Sequence, residues 1–239
     1  MVSADGARRS DHISLGQYSG GPEEGEHPEQ ARALSRYLKT SSLEFIGLKL
    51  PAIDAVVRRH SRGMPPDGLL ALMQGLWSVR IYEVKRAAVD VLQTFAVRGD
   101  PLTGVGACLT GLTMWTQWAI VDPMCTSGLG KLVLRSAEAE NRVVEWKRHS
   151  RFWRRATILP YLYMSLKQNF REEHTSRVLD ALRPHLQDRE FFVAKAVGWV
   201  LRELSKRDPN AVSAFIKENR ESMTALAIRE GSRRLLRPL

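Results

Sequence analysis

From Pro28 onward, apolar residues recur at three- and four-residue spacing, in runs of about a dozen residues that suit one buried face of an α-helix. "PEQARALSRYLK" from Pro28 and "PAIDAVVRRHSRG" from Pro51 each open on a proline, whose missing N–H is harmless in a first turn. The second run stops at Gly63, and "IYEVKRAAVDVLQTFAVRGD" from Ile81 carries the same spacing to its own terminal Gly99. The runs "AENRVVEWKRH", "FWRRATILPYLYMSL", "EEHTSRVLDALRPHL", "EFFVAKAVGWVLRELSKRD" and "PNAVSAFIKEN" continue in the same manner. Almost nothing alternates with period two over the length of a strand, so the fold class is all-α. Short helices joined by brief turns, in pairs roughly every 35 to 45 residues, predict a HEAT-like helical-repeat solenoid rather than a four-helix bundle. The concave face of such a solenoid is where an extended partner lies.

Residues 1–27 break the pattern. They are rich in Gly, Ser and Glu with few apolar side chains, and are expected to form a flexible tail ahead of one domain over residues 28–239. Charge sharpens the division. The chain carries a net +10, but residues 1–30 hold six acids against Arg8 and Arg9, so they are −4 and the rest is +14. A domain so positive seeks a polyanion, nucleic acid ahead of an anionic membrane surface, and the solenoid's concave face is expected to be basic. The two cysteines, Cys108 and Cys125, form no CxxC pair and suit a reducing cytoplasm, and no basic-then-apolar leader opens the chain. Pro101–Val121 holds no charged side chain, but its three glycines, four threonines, Gln117 and Pro101 fit a buried helix with a turn in it, not a membrane span. Within it, "GVGACLTG" from Gly104 reads as a turn between helices.

Few chemistries survive inspection. The six histidines are scattered without an HxxxH pair, so no metal site is expected; no phosphate-cradling glycine loop or nucleophile elbow appears either. Three places combine aromatic and charged residues. In "EWKRHSRFWRR", Trp146 and Trp153 are interleaved with Lys147, Arg148, Arg151, Arg154 and Arg155. This is either a phosphate-binding cluster or a solvated helix end with its tryptophans turned inward. Lys195, Trp199 and Arg202 share one face of a helix at i, i+4 and i+7. Trp118 and Asp122 stand at i and i+4 and meet only if their helix is unbroken. Pro123 argues for a break there, with Asp122 as the N-cap of the next helix, a position that would hold its carboxylate in one direction.

With those residues in view, the chain resembles the AlkD-like DNA alkylation repair glycosylases. The resemblance is carried by "ARALSRYLKTSSLEFIGLKLP", "LWSVRIYEVKRAAVDVL", "WAIVD", "FWRRATIL" and "FFVAKAVGWVLRELSKRDPNAVSAFIKEN", in this order, over residues 28–236. It implies a solenoid cradling duplex DNA, and hydrolysis of the N-glycosidic bond of cationic N3- or N7-alkylated purines without flipping the base out of the stack. By the same resemblance Asp122 is the catalytic carboxylate, Trp118 and Trp199 flank the lesion's deoxyribose, Arg155 or its neighbour Arg154 holds the backbone, and Tyr37 completes the cleft. Lys195, Arg202, Arg148 and Arg151 are expected to contact DNA. No cofactor or metal is implied, and the protein is expected to act as a cytoplasmic, nucleoid-associated monomer. Small methyl lesions are favoured over bulky natural-product adducts. The alternatives are a solenoid that binds damaged or branched DNA without catalysis, and a protein scaffold.

Overall fold

The computed structural model of the protein describes residues 27–38, 43–114, 118–148 and 151–235; the side chains of Tyr37, Met114, Arg151 and Phe152 are outside that description. The expected tail, His27 apart, lies outside the described residues. Among them there is no strand, only an isolated bridge between Glu44 and Ile81. The helices run in chain order as α1 (Pro28–Leu38), α2 (Leu50–Ser61), α3 (Pro66–Ser78), α4 (Tyr82–Arg98), α5 (Pro101–Met114) and α6 (Trp118–Pro123). They continue as α7 (Gly130–Arg135), α8 (Ala137–Val144), α9 (Arg151–Ser165), α10 (His174–Leu182), α11 (Phe191–Leu204), α12 (Pro209–Glu218) and α13 (Ala225–Gly231). Each packs on near neighbours: α2 and α3 on α4, α7 and α10 on α9, α9 on α11, and α11 on α13. This is the all-α helical-repeat architecture that the spacing predicts. No helix among the described residues is long and apolar enough to cross a membrane.

Local chemistry sets several helix ends. Ser136, Asp208 and Thr224 each accept a hydrogen bond from a backbone N–H three residues on, capping α8, α12 and α13. The entry to α4 is fixed by Glu83, which is buried and accepts hydrogen bonds from the backbone N–H groups of Ile46 and Gly47 at 3.0 and 2.8 Å. Lys85, also buried, donates to the carbonyl of Trp77 near the end of α3.

Two expectations are corrected here. "GVGACLTG" is not a turn but the middle of α5. A Cβ at Gly104 would lie 2.7 Å from the Leu132 side chain, so the glycine serves close helix packing. The second concerns the break at Pro123. Helix α6 runs through Pro123, which is itself helical (φ −66°, ψ −33°), into a π-helical turn over Met124–Leu129 and on into α7. Asp122 is therefore no N-cap. Proline has no N–H to give to the carbonyl four residues back and its ring crowds that carbonyl, and the wider π turn follows directly. Continuity is favoured by burial on both sides of the proline, since Ile120, Val121, Met124 and Cys125 are all fully buried.

The rod from Trp118 to Arg135 sits close against α9. A Cβ at Gly130 would lie 2.5 Å from Cβ of Tyr163. Gly130→Ala is expected to cost about 1–3 kcal/mol by overpacking, lowering the Tm by roughly 2–10 °C. Thermal unfolding checks this, and an unchanged Tm would show that the two helices have room to separate.

Candidate active site

The continuous helix through Pro123 puts Trp118 and Asp122 on one face, a turn apart. Arg155 on α9 completes the arrangement from across the helix pair. Its Nε donates to Oδ1 of Asp122 and its Nη2 to Oδ2, both at 2.7 Å, a two-pronged pairing that fixes the plane of the carboxylate. Its Nη1 donates to the backbone carbonyl of Phe192 on α11. Three neighbouring elements are thus tied by one guanidinium. The Arg155 side chain is only 3% exposed whereas that of Asp122 is 18% exposed, so Asp122 is the member of the pair that solvent reaches. A carboxylate has about four acceptor positions, and Arg155 takes two, so the open side of Asp122 can still receive a water or face a cation.

Aromatic rings border this carboxylate. The Trp118 ring meets the Phe192 ring edge-on at 4.3 Å, and the Arg155 guanidinium carbon is 6.0 Å from the centroid of Trp118. Phe191 follows in the same ladder, 5.2 Å from Phe192, and Lys195 lies 5.7 Å from the Phe191 ring. Trp199 is half-buried on α11, two turns beyond Phe192, and Arg202 follows on the same side, paired with Glu230 at 2.8 Å. Phe192 was not singled out by sequence. Its position seven residues before Trp199, hence on the same helix face, is the signal that identifies it.

The remaining candidates divide. Arg155 rather than Arg154 faces Asp122; Arg154 Nε lies 2.6 Å from Oδ2 of Asp188. At 2% exposure, with donors committed to Asp122 and Phe192, Arg155 holds the carboxylate of Asp122. Trp146 is buried and packs edge-on against the half-buried Trp153 at 5.4 Å, the inward-turned alternative for those tryptophans, while Arg148 is exposed. Tyr37 and Arg151 have side chains outside the described residues. No cluster of three potential metal ligands occurs among the described residues.

Behind the site, two polar contacts steady the segment leading into α11. Asp188 also accepts a hydrogen bond from the N–H of Glu190 at 3.0 Å, and Thr157 Oγ1 lies 3.0 Å from Nε2 of the buried His185. Burial pushes the His185 imidazole down to about 4, with Lys147 and Arg154 acting in the same direction and Asp188 opposing. The neutral ring is therefore the one that fits the fold. Its stabilisation is complete above the unfolded value of about 6.5 and is lost as pH falls toward 4, because the unfolded chain takes up the proton first. Unfolding free energy is expected to drop by about 3 kcal/mol across that window. Urea titrations at pH 7 and pH 4.5 check it, and His185→Gln should flatten the difference; an equal slope in the variant would assign it elsewhere.

The chain is similar over 89% of its length to the structure of a predicted DNA alkylation repair enzyme from Enterococcus faecalis, covering 98% of that chain, with a TM-score of 0.73 and 24% identity. At that identity the likeness speaks for the fold. No curated protein matches. The sequence model of the family described as DNA alkylation repair enzyme matches residues 23–235, nearly the whole chain, and the protein therefore belongs to the DNA alkylation repair enzyme family.

Proposed function

We propose that the protein is a monofunctional DNA glycosylase on a HEAT-like scaffold. It hydrolyses the N-glycosidic bond of cationic N3- or N7-alkylated purines in duplex DNA, acting as a monomer in the cytoplasm and leaving an abasic site. The observation that carries the reading is the partly exposed Asp122, its carboxylate clamped by Arg155, one helical turn from Trp118.

The chemistry needs those groups and little else. An alkylated purine already bears positive charge, so its bond to the sugar breaks without a general acid, and positive charge passes to the deoxyribose as the base departs. A carboxylate already fixed in direction stabilises that cation without reorganising during the reaction. The π faces of Trp118 and Trp199 add attraction for the same charge. A water on the open side of Asp122, oriented or deprotonated by it, then adds to C1′ of the sugar. Arg155 touches neither sugar nor base; it is a positioning residue. The buried Arg155 against Asp122 and the Phe192 ring against Trp118 support attack from the sugar side with the lesion still stacked, in contrast to enzymes that swing the base into a pocket. Lys195, Arg202, Arg148, Arg151 and Tyr37 are assigned to the DNA backbone, small methyl adducts are the first substrates, and bulkier ones are accepted by the same open geometry.

Methylated duplex DNA incubated with the protein tests this reading. Strand breaks that appear only after alkali indicate a monofunctional glycosylase, and breaks before alkali indicate a lyase. Their complete absence across a panel of small and bulky N3- and N7-adducts would leave a non-catalytic DNA-binding protein.

A further inference from the structure

Beyond Trp199, α11 carries a second feature that the hydrolytic chemistry does not use. Trp199, Arg202 and Glu203 of α11, with Lys206 in the turn just after it, form one wall of a cleft of about 540 Å³, whose other wall is Arg233 and Arg234. Those two arginines belong to a single 3-10 turn, Ser232–Arg234, directly after α13. They reach α11 because the two helices touch. A Cβ on Gly198 would lie 2.5 Å from Cβ of Glu230 and 3.1 Å from the carbonyl oxygen of Ala227, and one on Gly231 would lie 3.0 Å from Cβ of Leu201. The glycine immediately before Trp199 thus lets α13 close onto α11 and delivers the arginine pair to the tryptophan's side.

Charge at the cleft is out of balance. Glu203 pairs with Lys206 at 2.5 Å. Glu230 receives Arg202 at 2.8 Å and Arg233 at 3.0 Å, with Arg229 at 4.0 Å. Two carboxylates therefore face Arg202, Lys206, Arg229, Arg233 and Arg234, and the excess collects around a concave, polar opening beside an aromatic wall. Guanidinium groups converging from two elements match the tetrahedral oxygens of a phosphate.

We propose that this cleft binds one backbone phosphodiester of the lesion-bearing strand, within three nucleotides of the sugar at Asp122. The assignment rests on the DNA-repair reading and adds a gripping point to it. Arg202 lies three residues beyond Trp199 on α11, about 4.5 Å along the axis at 1.5 Å per residue, and Lys206 follows in the turn just after the helix ends at Leu204, so the cleft begins within a few nucleotide steps of about 3.4 Å along a duplex. A sugar resting on Trp199 consequently places a nearby phosphate over the cleft. Holding the strand at that point fixes the register in which the sugar meets Asp122, which a reaction without a base-reading pocket requires from the backbone.

The test uses the full chain and its Arg233→Gln/Arg234→Gln double variant, both positions being exposed, with an unchanged unfolding midpoint as the control for folding. Binding is followed by fluorescence anisotropy on a duplex carrying a tetrahydrofuran abasic-site analogue. In a series of such duplexes, one phosphate at a time is replaced by an uncharged methylphosphonate on either side of the analogue. The wild type is expected to lose about eightfold in affinity at 0.1 M salt for one position in the series, the effect of losing one counterion-releasing contact, while the variant is indifferent to that same replacement. The variant's salt dependence should be shallower by about one in log–log slope. The proposal is overturned if wild type and variant respond equally at every position, if their salt slopes coincide, or if neither binds the duplex. Its failure is separable from that of the glycosylase reading: the binding pattern without base release leaves the cleft assigned and removes the enzyme, and base release with equal patterns does the reverse.

Discussion

Asp122→Asn is expected to lower base excision by at least about 100-fold while leaving duplex affinity within roughly twofold of the wild type, the loss being that of one preorganised charge at the reacting centre. Asparagine keeps the shape of the side chain and removes the charge proposed to face the departing base's sugar. One of its ends remains an acceptor for Arg155, but the amide NH2 then points at an arginine N–H, and a donor facing a donor costs about 1–3 kcal/mol in a buried setting. The variant should accordingly be assayed well below its own Tm. DNA affinity is expected to survive because removing an acid from a basic surface does not weaken attraction for phosphates. A protein that only binds damaged DNA has no excision to lose, so the variant separates the two readings directly.

Arg155→Ala is the second large effect. Deleting the guanidinium leaves the carboxylate of Asp122 and the carbonyl of Phe192 without their donors, with Asp122 only 18% exposed to water. Breaking such a pair from one side is expected to cost about 3 kcal/mol. Excision should fall with it, since the carboxylate loses its fixed direction. Arg155→Lys is the more informative companion. It restores the positive charge with a point donor that cannot grip both oxygens at once, so stability should recover in part while kcat stays low. The KM for duplex DNA and the salt dependence of binding should match the wild type, because the residue is buried with its donors committed to Asp122 and Phe192. Were Arg155 a backbone contact, the same substitution would appear chiefly in affinity and salt slope.

The helical class was plain in the sequence because each helix buries one stripe, and that stripe must recur at helical spacing whatever the tertiary arrangement. The Trp118 and Asp122 pair was legible for the same reason. The fate of Asp122 was not, and the contrast with Asp208 shows why. Both precede a proline, yet Asp208 lies in non-helical backbone and caps α12, whereas α6 runs straight through Pro123. The dipeptide is the same; what differs is the fully buried residues on both sides of Pro123, which reward an unbroken rod, and an arginine on α9 that claims the carboxylate. Arg154 and Arg155 were indistinguishable by composition, because the helical phase that sends one to Asp188 and the other to Asp122 depends on how α9 sits against its neighbours. The approach of Arg233 and Arg234 to Trp199 is likewise written in two glycines, Gly198 and Gly231, whose meaning appears only once α11 and α13 are packed together.

The carboxylate of Asp122, held by Arg155, is proposed to drive loss of the alkylated base. Mass-spectrometric detection of free base released from duplex DNA bearing a single N7-methylguanine, under single turnover with wild type and Asp122→Asn side by side, tests it most directly. The wild type is expected to release one N7-methylguanine per duplex, far above spontaneous depurination, and the variant to stay close to that background. Equal release by the two proteins would contradict it.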